Sequence, residues 1–304
     1  MNALLRAADR YEGRLKTVIN RSVLEGRKKI SVSRLARALK RRDRAGAERE
    51  TLMAVNAMTK SLETGLPPVL MSLVVAGAGI ATSTLSRDVN NLKAARRTSV
   101  KLNFRFDRTN PQAVAWVEKH GAELVTEITD ETRRALRRIM TRAFVDGIPP
   151  VQAAKQIRKT VGLTSAGEEA VNNLRTKILE NPGARIYAGK VPIRVPEKGM
   201  SKSRLREVLA SYSDRLVRQR SLLIARTETI KASNEGQNQL WKQASQQGLL
   251  PRNAKRVWLA AGDERTCPIC SELDGKTAPL NGSFEGKFDG PPAHPACRCT
   301  TGLA

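Results

Sequence analysis

The sequence predicts a mainly α-helical protein, a helical array followed by a small α+β module at the C-terminus. Three observations predict it. Long stretches rich in Ala, Leu, Arg, Lys and Glu repeat their apolar residues at helical spacing. Gly and Pro fall in clusters that break those stretches into segments. All four cysteines and one of the two histidines lie between Cys267 and Cys299, in a part of the chain poor in helical pattern. The 304 residues suffice for two or three units. The expected division is a basic N-terminal helical region (1–109), a helical core (110–250) and a Cys/His module (251–304).

Taken in order, residues 1–60 read as helix. Residues 1–50 hold fifteen Lys/Arg against six Asp/Glu. Basic side chains are densest around Arg34, Arg37, Lys40, Arg41 and Arg42, beside the helically spaced Leu35, Ala38 and Leu39, so one face packs and the other presents charge. Arg6, Asp9 and Arg10 interrupt the start before any secretory signal could form. Gly65–Ser86 carries no charge, yet Pro67, Pro68, Gly77 and Gly79 dilute it, which predicts a buried helix-packing segment and no membrane partner. The alternation of Leu102, Phe104 and Phe106 suggests a short strand or a connection.

Asn110 and Pro111 start a helix that runs towards Thr126. Thr129 is expected to cap the next one, with Leu136, Ile139 and Met140 on its apolar side and Arg133, Arg134, Arg137, Arg138 and Arg142 opposite. Gly147 with Pro149-Pro150 stops it. A short helix ends at Gly162, and Ser165-Ala-Gly-Glu168 reads as a capping box. Residues 181–200 form a breaker-rich connector with an extended Val191–Val195. A helix from about Ser203 to Gln247 ends at Gly248, and Lys255–Ala260 reads as a strand.

The formal net charge of +25 and pI of 10.7 predict a polyanionic partner. At 4% aromatics the chain is a poor base-stacking reader, so binding to double-stranded DNA would be phosphate-directed and non-specific. Candidate phosphate contacts are Arg34, Arg37, Lys40, Arg41, Arg42, Arg134 and Arg138. At the C-terminus, Cys267-Pro-Ile-Cys270 and His294-Pro-Ala-Cys297-Arg-Cys299 offer five soft ligands for one tetrahedral ion. Structural zinc is the expected cofactor, stapling the module. Cys267 and Cys270 are the firm pair, and two of His294, Cys297 and Cys299 would complete the site. Disulfides are the alternative. A catalytic metal, making the chain a nuclease-like nucleic-acid-processing enzyme, is the runner-up, since Asp263, Glu264, Asp274 and Asp289 lie close in sequence.

Several motifs resemble the phage Mu F-like, or phage head morphogenesis, minor capsid family. They are Trp258-Leu-Ala-Ala-Gly-Asp263-Glu-Arg265-Thr-Cys267-Pro-Ile-Cys270, Leu273-Asp-Gly275-Lys276 and Pro291-Pro-Ala-His294-Pro-Ala-Cys297-Arg-Cys299. Upstream, Ile224-Ala-Arg226-Thr-Glu228-Thr with Ala232, Asn234 and Gly236 is similar to that family's helical signature. So is the segment from Asn110-Pro111 through Gly147-Ile-Pro-Pro150 to Gly162-Leu-Thr164. The resemblance spans about residues 110–300. It implies a non-enzymatic virion protein inside the head near the portal vertex, assembled in the host cytoplasm. Its partners would be the portal protein, other head proteins and the packaged DNA. Arg226 and Glu228, two apart on a helix, point to different faces. They are expected to be structural, with Arg226 and Asn234 anchoring the Cys/His module to the long helix. His120 is expected to be a satisfied interface histidine.

Overall fold

The computed structural model describes residues 2–94, 106–107, 109–145, 148–251, 253–264 and 266–304, with side chains for residues 10–85 and from 106 onward. Among these, helices α1 (Asn2–Lys29), α2 (Val32–Lys40), α3 (Arg44–Ala94), α4 (Pro111–Val145), α5 (Pro150–Thr160) and α6 (Ser165–Glu180) precede a hairpin of β1 (Arg185–Ala188) and β2 (Val191–Arg194). Then come α7 (Lys202–Gln246), β3 (Lys255–Leu259), α8 (Pro268–Leu273), β4 (Thr277–Pro279) and β5 (Thr300–Leu303). The fold is mainly α, with the short strands gathered late in the chain.

Local chemistry sets most boundaries. The first stretch breaks twice. Ser31 caps α2 through a bond from the Arg34 N–H, and the Asp43 carboxylate accepts from Gly46 N at 2.8 Å to start α3. Asn110 caps α4 by accepting from Gln112 N at 2.9 Å. The break expected between Thr126 and Thr129 is absent. Both hydroxyls bond back to carbonyls one turn earlier, Thr129 to Val125 at 2.9 Å, so they sit within the helix and do not cap one. The cap of α6 is Thr164, not Ser165, because the Thr164 hydroxyl accepts from Gly167 N at 3.0 Å. Glu168 is consequently free of cap duty and lies buried against Arg142 at 2.9 Å. The strand expected at Val191–Val195 is β2, whose antiparallel partner β1 went unnoticed in the connector. Gly248, at φ 72°, ends the long helix where a side chain would be strained. Leu102 and Phe104, and the stop at Gly147, lie outside the described residues.

The chain forms two compact units, each assembled from separated segments: residues 1–17, 65–121 and 222–304 in one, and 18–64 and 122–221 in the other. These units cut across the sequential division at 109 and 250. The second unit packs α2 against α5 and buries Leu35, Ala36 and Leu39. In it the Arg220 guanidinium donates to the carbonyls of Gly162 and Ile128 at 3.0 and 3.2 Å. Asp214 holds Arg27 and Lys159 at 2.6 and 2.9 Å.

In the first unit the uncharged segment runs inside α3. By length and composition alone, Arg44–Leu85 of this helix could cross a membrane. Leu66, Leu70, Leu73, Val74, Ala78, Ala81 and Leu85 are nevertheless buried within the protein, which gives the segment's apolar character a packing role. There α3 meets α7 backbone to backbone. A Cβ on Gly77 would stand 2.0 Å from the Ser233 carbonyl oxygen, and one on Gly236 would stand 1.9 Å from that of Val74. Only glycine fits either position.

Candidate metal centre

The C-terminal module hangs on a three-stranded antiparallel sheet ordered β4-β3-β5. Its centre is Trp258 of β3, fully buried and edge-on to Phe284 with ring centroids 5.3 Å apart. At about 25 cal/mol per Å² and ~150–250 Å² per aromatic, such burial contributes about 4–6 kcal/mol. Leu273 and Ala278 pack there, but three further buried members of the cluster are Cys270, Cys297 and Cys299. The cysteine side chains thus occupy core positions. Arg256 is buried too and donates to the carbonyls of Asp289 at 2.8 Å and Gly282.

CxxC spacing acts here through a helix start. Cys267 is the N-cap of α8, and its sulfur accepts from Cys270 N at 3.4 Å, with Pro268 in the first helical turn, where no N–H is needed. This turns both sulfurs to one side. From the other end His294 Nε2 lies 3.1 Å from Cys267 Sγ and 3.3 Å from Cys270 Sγ. Cys270 Sγ is 3.7 Å from Cys297 Sγ. Two triads result, Cys267–Cys270–His294 and Cys270–Cys297–Cys299, sharing Cys270. All four cysteines are unpaired, so the disulfide alternative is not what the structure holds.

Electrostatics divide the thiols. The Cys299 thiol donates to Cys297 and lowers its pKa to about 5, and the same bond, with burial, pushes Cys299 up. Burial raises Cys270 to about 12. The backbone N–H of Cys270 lowers Cys267. His294 is raised, first by its Nδ1 bond to the Pro295 carbonyl at 2.9 Å and further by the neighbouring sulfurs. That bond leaves Nε2 facing Cys267 and Cys270. Soft donors gathered with partial charge are what a thiophilic cation needs. Zn–S of ~2.3 Å and Zn–N of ~2.0–2.1 Å imply ligand-to-ligand edges of about 3.5–3.8 Å in a tetrahedron. Cys270 to Cys297 at 3.7 Å falls on that edge, while His294 at 3.1 and 3.3 Å from the two sulfurs stands inside it.

The helical signature residues serve different ends. Asn234, buried on α7, donates to the Cys299 carbonyl at 3.4 Å, while its side-chain oxygen accepts from Thr300 Oγ1 at 2.9 Å and Thr301 N at 3.1 Å. It therefore ties β5 to the long helix. Arg226 does not, because its guanidinium pairs with Glu12 of α1 at 3.0 Å. Glu228 meets His120, which stacks on Trp116 at 4.6 Å, in a buried contact between α7 and α4. An anchor the sequence reading missed is Thr227, whose hydroxyl accepts from Ala296 N at 3.0 Å, directly beside the HxxCxC run. Its position inside the Arg226-Thr-Glu228 motif was the available signal.

The phosphate-contact candidates separate in the second unit. Arg37, Lys40, Arg41 and Arg42 are exposed on or just after α2, and none forms an ion pair among the described residues. Arg34 instead pairs with the buried Glu50, Arg134 with Glu131, and Arg138 with Glu169 at 3.0 Å.

A mainly helical chain closed by a Cys/His cluster on a small antiparallel sheet defines the class, a helical protein with a C-terminal module whose cluster could hold a metal ion. Residues 193–302 match the family described as Phage Mu protein F like protein, so this part of the chain is similar to that family. The match covers just over a third of the chain and starts at residue 193, well after the 110 suggested by motif resemblance. No curated protein and no solved structure matches the chain.

Proposed function

We propose that the protein is a minor head component at the portal vertex. On this reading it joins the portal and other head proteins during head morphogenesis and touches the packaged DNA without sequence preference. It would be assembled in the host cytoplasm, carried inside the head, and need no membrane. The match over residues 193–302 carries the reading. The family is one of structural and morphogenesis proteins, which supports a non-enzymatic role. The DNA contact rests on the net charge of +25 and on the exposed Arg37, Lys40, Arg41 and Arg42.

Zinc is the proposed resident of the module, with the Cys267–Cys270–His294 triad supplying three ligands and Cys297 proposed over Cys299 as the fourth, since both lie in the triad that shares Cys270. Asn234 fixes the Cys299 carbonyl. When bound, the metal would supply crosslinking and no reactive water. Metal analysis should find about one zinc per chain by the four-ligand rule, retained in Cys299→Ser and lost in Cys297→Ser. The opposite pattern would exchange their roles, and no metal in either the parent or the variants would end the assignment. Capture of the portal subunit by the full chain tests the placement. Duplex affinity falling steeply with salt, and weakened in Arg37→Glu/Arg41→Glu, tests the DNA contact. Salt-insensitive binding would count against it.

A further inference from the structure

Within the second unit, α4, α5, α6 and α7 enclose a cavity of roughly 200 Å³ that the proposed function does not use. That is room for on the order of a dozen waters, and so for one or two large side chains. Its floor is apolar, formed by Ile139, Val171 and Leu209 with Ala210 beside them. Its rim is cationic: Lys155 and Arg158 from α5, Arg175 from α6 and Arg206 from α7. None of these four makes an ion pair among the described residues. The fifth cation in the lining and its one acid are both paired. Lys159 is held by Asp214 at 2.9 Å, and the one acid in the lining, Glu168, is taken by Arg142 at 2.9 Å and Arg138 at 3.8 Å.

We propose that this cavity docks an acidic segment of a partner protein, which inserts one large apolar side chain and sets carboxylates against Lys155, Arg158, Arg175 and Arg206. Charge complementarity selects the sign of the partner, and the apolar floor selects its class. A duplex presents phosphates on its outside and has nothing to place in an apolar hollow, so it would satisfy the rim and leave the floor wet. A single anionic headgroup would likewise leave the apolar floor unfilled. A peptide with an apolar anchor between acidic residues satisfies both parts, as anchors in desolvated pockets ringed by polar contacts do at protein interfaces. The inference stands apart from the DNA contact, which was assigned to other residues.

The test is selection from a random dodecapeptide library on the full chain, followed by anisotropy titration of the recovered peptides and of a labelled random-sequence duplex. The recovered family should share one Leu, Phe, Trp or Met flanked by Asp or Glu. Ala210→Trp, which fills the hollow and leaves the rim intact, should weaken these peptides by about tenfold or more while duplex affinity stays within about twofold. Arg158→Glu/Arg206→Glu, at two exposed positions, should weaken them as well, and replacing the peptide's apolar residue by Ser should do the same. No enriched family, or a family without the apolar anchor, or binding that survives Ala210→Trp, would overturn the proposal. A duplex whose affinity falls in Ala210→Trp would assign the cavity to nucleic acid instead.

Discussion

Where α3 crosses α7, the contact is made by the absence of side chains, with Gly77 and Gly236 letting carbonyls and α-carbons of the two helices touch. In the C-terminal module the contact is made by side chains of special chemistry, as Cys270, Cys297 and Cys299 fill a centre that holds few large apolar groups besides Trp258, Phe284 and Leu273. Both regions belong to the same unit. The helix crossing gains dispersion and backbone proximity at no cost in side-chain entropy, and it tolerates no added atom. The module could gain a crosslink from a metal at its cysteines, and on that proposal its stability depends on what occupies them. One is vulnerable to substitution and the other to its surroundings.

The sharpest way to break that comparison is at the glycines. Gly236→Val puts a branched side chain where the first carbon already lies 1.9 Å from a carbonyl oxygen. Loss on the order of 4 kcal/mol or more is expected, read as collapse of soluble yield and of the urea midpoint whatever metal is present. A folded, fully stable variant would show that the crossing can open. Next in size is metal removal. Chelation, or Cys270→Ser, should cost several kcal/mol and expose residues 255–304 to limited proteolysis while far-UV circular dichroism keeps most of its helical signal. A module equally resistant with and without chelator would mean the hydrophobic cluster suffices. Asn234→Ala removes the tie between α7 and β5, with an expected cost of about 1–3 kcal/mol by denaturant titration and no change in metal content. The smallest effect belongs to Arg226→Ala. Its partner Glu12 lies at 3.0 Å, but the guanidinium is 56% exposed, so under ~1 kcal/mol is expected. A larger loss would give the motif arginine a role beyond this ion pair.

How much the sequence disclosed follows the same divide. The cysteine cluster, the ends of α7 and the start of α4 were legible because each rests on a residue type with one dominant local use: a soft ligand, a left-handed glycine or an asparagine cap. The glycine crossing was not. Gly77 read only as a dilution of an apolar run, and Gly236 only as part of a motif, because what requires them is a helix more than 150 residues away in sequence. The misplaced break at Thr129 has a related origin. A threonine that caps and one that bonds back into its own helix look alike until the preceding turn is known to be helical. Asn234 was expected to anchor the module and Arg226 to join it. The difference between them is reach: Asn234 sits on the face of α7 that meets β5, and Arg226 on the face that meets α1.

The patchwork make-up of the first unit bears on how the protein is born. Residues 1–17 leave the ribosome long before the segment 222–304 that completes their unit. Glu12 cannot meet Arg226, nor Gly77 meet Gly236, until nearly the whole chain has been made. Contacts so distant in sequence close slowly, and meanwhile the uncharged stretch of α3 stands without its cover, the kind of exposed apolar surface that invites aggregation. A nascent chain stalled just short of residue 222 should therefore need a chaperone, whereas residues 18–64 and 122–221 can already have come together.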